Sequence, residues 1–217
     1  MSNIFSYDNK FFQIIGKLMD CFYISILWVF FSIPIVTIGA SATAMYYAVN
    51  KVLRGNRSYV WRSFWGAFRS NFKQATIIWL VYMAVGILFG VDIYITHIFL
   101  LNGYALGILF YIFIILFIFL ILWGVYLFSY TARFENSTKE ILKNSGIIAI
   151  ANLPKTILLF VILVVGVLLG MFVPFVIPLI PAVFTWAMSM VLESVFRKYM
   201  SKEDLEREKE LDMESKL

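Results

Sequence analysis

The chain has 217 residues, of which 62% are hydrophobic, 18% aromatic and only 14% charged, with a net charge of +5. Soluble domains are nearer half apolar and a quarter charged, so this composition excludes a water-soluble globule and indicates one membrane-embedded domain. The positive charge lies on loops beside apolar runs, which reads as an orientation signal in a bilayer and not as a nucleic-acid surface.

The expected fold is all-α: a polytopic transmembrane helical bundle of about six spans, with two cytoplasmic in-plane amphipathic helices. Residues 1–20 mix Asp8 and Asp20 with Lys10 and Lys17 and lack a small-residue cleavage site, so they read as an uncleaved entry and not as a secretory signal. The first span is expected over residues 11–33. Pro34 ends it, because proline lacks an N–H and its ring clashes with the preceding turn. Thr37, Gly39 and Ser41 then supply turn and helix-start chemistry. A second span is expected over 35–53, with Ala40, Ala44 and Ala48 on one smooth face for close packing. The alternative is five spans, with Pro34 a kink in one long helix. Parity favours six, since residues 50–74 carry Lys51, Arg54, Arg57, Arg62, Arg69 and Lys73 with no acid, the mark of a cytoplasmic loop. Two spans before that loop leave the N-terminus cytoplasmic as well.

The first in-plane helix is expected over 58–72. Ser58 can cap it, and Trp61, Phe64, Trp65, Phe68 and Phe72 recur at helical spacing with Arg62, Arg69 and Lys73 projecting elsewhere. Such a helix suits the lipid headgroup layer, rings in the acyl boundary and cations at the phosphates. The same residues would also serve as a docking surface for a partner protein.

The third span, 75–99, contains Gly86-x-x-x-Gly90, a close-packing pair, and carries Asp92 and the single histidine, His97, toward its outer end. An acid inside a span is a candidate proton or substrate site; so near the outer interface, Asp92 reads rather as a solvated or capping residue. The fourth span is 104–130, preceded by Gly103-x-x-x-Gly107, and Arg133 closes it. The second in-plane helix, 137–150, opens with the capping-box pattern Ser137-x-x-Glu140 and has an apolar stripe of Ile141, Leu142, Ser145, Ile148 and Ala149. The fifth span, 156–173, holds Gly166-x-x-x-Gly170, and Pro174, Pro178 and Pro181 build an uncharged outer corner. The sixth, 181–199, places Glu193 and Arg197 four apart, where they are expected to pair. Residues 201–217 form a charged cytoplasmic tail.

Both in-plane segments run into Asn, an apolar residue, a short polar stretch, Thr and an aliphatic run, which suggests a weak repeat relating helices 40–98 and 104–173. No catalytic residues, cofactor or metal site is expected: no nucleophile–base pair or metal spacing is visible, and the single Cys21 excludes an internal disulfide.

The blocks SIPIVTIGASATAMYYAVNKVLRG, YVWRSFWGAFRSNFKQATIIWL, ARFENSTKEILKNS and ANLPKT resemble the signature blocks of the YesL family, bacterial integral membrane proteins of unknown function. The resemblance singles out Pro34, Thr37, Gly39, Phe64, Phe68, Asn71, Lys73, Gln74 and Asn136. It implies a bacterial plasma-membrane location and an accessory role beside carbohydrate uptake, with an ABC sugar permease or a sensor kinase as partner. Besides the lipid bilayer, a homo-oligomer is a further expected partner, and nucleic acid is not. The competing expectation is a small transporter or channel for a sugar or other solute, lined by Thr43, Tyr46, Tyr47, Asn50 or Asp92.

Overall fold

The computed structural model describes residues 10–55 and 58–214. The entry segment before Lys10, part of the first basic loop including Arg57, and the last three residues lie outside the described residues. Eight α-helices follow one another, with no strand among the described residues: α1 (Lys10–Ser32), α2 (Ile38–Ala48), α3 (Val60–Leu101), α4 (Leu109–Arg133), α5 (Thr138–Ala151), α6 (Leu153–Phe172), α7 (Ile180–Phe196) and α8 (Lys202–Glu214).

Four segments are long and apolar enough to cross a bilayer: Phe12–Ser32, Val60–Leu101, Ala105–Arg133 and Leu153–Phe172. Their outward faces are bare hydrocarbon. Ile87, Leu88, Ile115 and Val167 are each more than half exposed, a state that is stable only where lipid replaces water. The protein is therefore an all-helical membrane protein. The helix expected as the sixth span, α7, has 17 residues. The segment expected as the second span is not one uninterrupted helix. It divides into a 3-10 turn (Ile35–Thr37), the 11-residue α2 and a π segment (Val49–Arg54). Asn50 accompanies the wider turns, its side-chain amide donating to the Tyr46 carbonyl at 3.2 Å while Gly55 N–H reaches the Asn50 carbonyl at 3.0 Å.

Pro34 makes a corner between two helices and not a kink within one. Thr37 locks it, its hydroxyl donating to the carbonyls of Phe31 (2.6 Å) and Pro34 (2.7 Å). α2 then folds back along α1, with the Ser41 hydroxyl on the Trp28 carbonyl at 2.9 Å. The corner rests on α3, because Trp79 Nε1 donates to the Ile35 carbonyl at 2.7 Å. Gly39 permits that approach: a Cβ there would stand 2.6 Å from Trp79 Cβ and 2.7 Å from the Ala75 carbonyl oxygen. Ala40, Ala44 and Ala48 are fully buried in the cluster shared by α1, α2, α3 and α7, since small side chains let backbones close in.

The expected in-plane helix 58–72 and the expected span 75–99 are one helix, the 42-residue α3. Asn71-Phe72-Lys73-Gln74 contains neither Gly nor Pro, and Asn71 turns its amide onto the Ala67 carbonyl at 3.0 Å, so nothing breaks the ladder. The corresponding joint in the second half does break, at Asn152 between α5 and α6, where Pro154 follows. The two halves of the suggested repeat differ at this joint.

Two apolar clusters hold the bundle. One joins α1, α2, the first half of α3 and the start of α7; the other joins α4, α5, α6 and the end of α7 with Tyr46 of α2 and Ile78 of α3. The small-residue pairs divide in use. A Cβ added at Gly166 would stand 3.0 Å from Phe184 and one at Gly170 3.3 Å from Ile180, so these glycines let α6 seat closely on α7. A Cβ added at Gly86 would lie in ordinary contact with Leu120 of α4, 3.8 Å away, and one at Gly90 would meet nothing within 4 Å, so no close helix approach depends on that pair. Gly103 instead supplies the positive φ (+72°) of the α3–α4 turn.

Candidate functional site

α3 outruns its neighbour α4. Gln74 Nε2 donates to the Asn136 carbonyl at 2.7 Å just beyond the end of α4, which leaves residues 60–73 projecting by about 21 Å at 1.5 Å per residue. The projecting part, the π segment, and the ends of α4, α7 and α8 enclose a polar chamber of about 1180 Å³. Both basic segments and the acidic tail thus meet at one end of the molecule, hereafter the basic end.

Lys51, Arg54, Arg62, Arg133 and Arg197 line the chamber against Glu135, Glu193 and Glu208. One wall is an alternating chain of charges. Glu193 is only 3% exposed. Tyr46 donates its hydroxyl to Glu193 Oε1 at 2.9 Å, and Arg133 Nη2 lies 3.3 Å from Oε2. The same Arg133 nitrogen meets Glu208 Oε2 at 2.7 Å, and Arg197 Nη2 meets Glu208 Oε1 at 3.3 Å. A carboxylate this deep persists only when paired and hydrogen-bonded.

The expected Glu193–Arg197 pair is corrected by this geometry. Glu193 faces the bundle interior, where the end of α4 delivers Arg133. Arg197, one turn later, is half exposed and takes Glu208 from α8 instead. Helical spacing places two side chains near each other, but a buried neighbour on another helix offers a less hydrated ion pair.

The lining contributed by the π segment holds cations with neutral partners. Lys51 Nζ donates to the Tyr47 hydroxyl at 3.1 Å. Arg54 Nη1 donates to Asn50 Oδ1 at 3.0 Å and to the Ser189 carbonyl at 3.3 Å. Ser63 of α3 belongs to the chamber lining, 3% exposed, and its hydroxyl has no hydrogen-bond partner. Arg133 Nε is likewise buried and unpartnered.

The remaining expected site residues are dispersed. Phe64 and Phe68 are not a docking face: they are buried against Phe31 of α1, with ring centroids 5.6 and 4.8 Å away. Their periodicity was that of a helix packed on protein. Trp61 and Trp65 stack on each other at 5.8 Å and remain partly exposed, as does Phe72. Arg69 and Lys73 are exposed, while Arg62 turns toward the chamber. Pro34, Thr37 and Gly39 form the corner described above. Asp92 is half-buried on the far part of α3, away from the chamber, and its carbonyl takes the Thr96 hydroxyl at 2.6 Å. His97 lies 5.1 Å from the Phe110 ring. Of the residues expected to line a transport path, Tyr46, Tyr47 and Asn50 reach the chamber, and Thr43 and Asp92 do not. Among the described residues, no group of three or more His, Cys, Asp or Glu side chains is placed to hold a metal.

Arg133 and Glu208 are the site residues that sequence reasoning missed. The usable signal was an isolated acid inside the α7 apolar run, which needs a cation, and an arginine ending the α4 run, which offers one.

A family described as "Protein of unknown function, DUF624" matches residues 21–93, which include the second half of α1, the Pro34 corner, α2, the π segment and most of α3. No curated protein and no solved structure matches the chain.

Proposed function

We propose that this protein is a non-catalytic accessory component of bacterial carbohydrate uptake, working from the cytoplasmic face of the plasma membrane. Its chamber end would receive a cytoplasmic segment of a sugar permease or sensor kinase. The positive-inside rule makes the basic end cytoplasmic, with the charged tail α8 on that side. The resemblance to YesL proteins supports this reading, and the matched family, being of unknown function, leaves the role open. The observation that carries the reading is the confinement of polar lining to one end. The described lining stops at Gln74 on α3 and at Thr131 on α4. Immediately beyond, Trp79, Tyr82 and Phe128 fill the space between those helices with ring centroids 5.8–5.9 Å apart.

The test is affinity capture of the tagged full-length protein from native membranes in mild detergent. The expected result is co-purification of a sugar-permease subunit or sensor kinase, lost when the exposed pair Trp61 and Trp65 is changed to Ser. Capture of neither class of partner would refute the reading.

A second reading is a small solute transporter, favoured by the chamber's volume, which exceeds the roughly 300–1,000 Å³ of ordinary ligand pockets. It requires the aromatic layer at Trp79, Tyr82 and Phe128 to part. Solute uptake into proteoliposomes would support it, and uptake unaffected by Asp92→Asn would leave Asp92 out of the path.

A further inference from the structure

We propose that the wall formed by the π segment and the first turn of α3 is a binding site for a phosphate group. The observation is a local imbalance of charge beside an unsatisfied buried donor. Of the chamber's cations, Arg133 and Arg197 are matched by Glu193 and Glu208. Lys51, Arg54 and Arg62 face the same space with no carboxylate partner among the described residues, and the exposed Glu135 is the one acid left to oppose them. Three cations against one carboxylate leave two positive charges. A phosphate ester carries about 1.5–2 negative charges and three acceptor oxygens, so it answers both the charge and the number of donors. A carboxylate brings half the charge and two oxygens.

Ser63 adds an independent sign. A hydroxyl held out of water without a partner is costly, and such groups occur where a ligand or an ordered water completes the bond. Ser63 belongs to the chamber lining on the first turns of α3, one residue after Arg62; its oxygen is tucked just behind that surface, so a rotation of the side chain is needed to bring it to a ligand. The π segment supports the same chemistry. Its wide turns set Lys51 and Arg54 beside the chamber while their side chains are steadied by Tyr47 and Asn50. Fixed cations lose less freedom when an anion arrives. The phosphate can come from the headgroup of an anionic lipid or from a soluble phosphate ester, and the chamber's position beside a bilayer admits both. The inference holds whether the protein acts as an accessory component or as a transporter.

The experiment uses the full-length protein in nanodiscs. In one arm, phosphatidylcholine discs are titrated calorimetrically with inorganic phosphate and with glycerol 3-phosphate. In the other, discs containing phosphatidylglycerol are analysed by native mass spectrometry for retained lipid. Saturable binding is expected in at least one arm: in the first it identifies a soluble ester, in the second a headgroup. Lys51→Gln and Arg62→Gln should each weaken binding about tenfold, the scale of one charge-assisted hydrogen bond. Ser63→Ala should weaken it a few-fold, and Glu135→Gln should tighten it. Circular dichroism identifies any variant that fails to fold, and the remaining variants then decide. No saturable binding in either arm, or binding indifferent to Lys51→Gln, Arg62→Gln and Glu135→Gln alike, overturns the proposal.

Discussion

Gly39→Ala is the substitution on which the packing argument can be broken. The added Cβ would stand 2.6 Å from Trp79 Cβ, 2.7 Å from the Ala75 carbonyl oxygen and 2.9 Å from Phe128 Cε1. Unstrained carbon contacts lie near 3.5–4.0 Å, so the methyl is about 1 Å too close on three sides. Two of those neighbours are a backbone atom and a Cβ, which cannot rotate away. α2 must therefore lift from α3, stretching the 2.7 Å hydrogen bond from Trp79 Nε1 to the Ile35 carbonyl. Overpacking of this kind costs about 1–3 kcal/mol, and the weakened hydrogen bond adds about 1 kcal/mol. We expect a loss of about 2–4 kcal/mol. Reversible unfolding in mixed micelles, followed by tryptophan fluorescence, measures it. Gly90→Ala is the control, because a Cβ there meets nothing within 4 Å. If Gly39→Ala unfolds within about 0.5 kcal/mol of the parent protein, the close approach of α2 to α3 is wrong.

Further outcomes follow from the charge network and the helix caps. Arg133→Ala should destabilise by about 3–5 kcal/mol, because it strands a carboxylate that is 3% exposed; adding Glu193→Gln in the same unfolding assay should recover part of the loss. Arg197→Ala removes only a half-exposed pair with Glu208 and should cost no more than about 1 kcal/mol. Glu208→Gln should release α8, read as faster amide hydrogen exchange over Lys202–Glu214 with the spans unchanged. The Ser137 hydroxyl and backbone N–H hold Glu140 below its ordinary carboxylate pKa of 4.5. Its cap therefore supports α5 above that pH and is lost as pH falls through the lowered value, and Ser137→Ala should move the loss to higher pH in a hydrogen-exchange titration. Lys139 should resist a membrane-impermeant amine reagent in intact cells and react in inverted vesicles; the reverse result would invert the proposed orientation.

The class of the protein was legible because composition is a sum over residues. So much Phe, Ile, Leu and Val cannot be kept from water in 217 residues except by lipid. Local chemistry was legible too: the Ser137–Glu140 capping box, the Pro34 corner and the smooth alanine face of α2 each depend on neighbours within a turn or two. The continuity of α3 was less legible. Its basic, aromatic first part and its apolar second part resemble two different helices, although no residue between them interrupts the backbone.

The sequence by itself determined an all-helical membrane chain with cations gathered on particular loops. Tertiary structure alone decided which aromatic rings became core and which acid met which base. Phe64 and Phe68 carry the same periodicity whether lipid or α1 covers them. Glu193 carries the same spacing to Arg197 whether or not Arg133 arrives from α4. Periodicity reports that a helix face is apolar or charged, and only the approach of a second helix reports what lies against it.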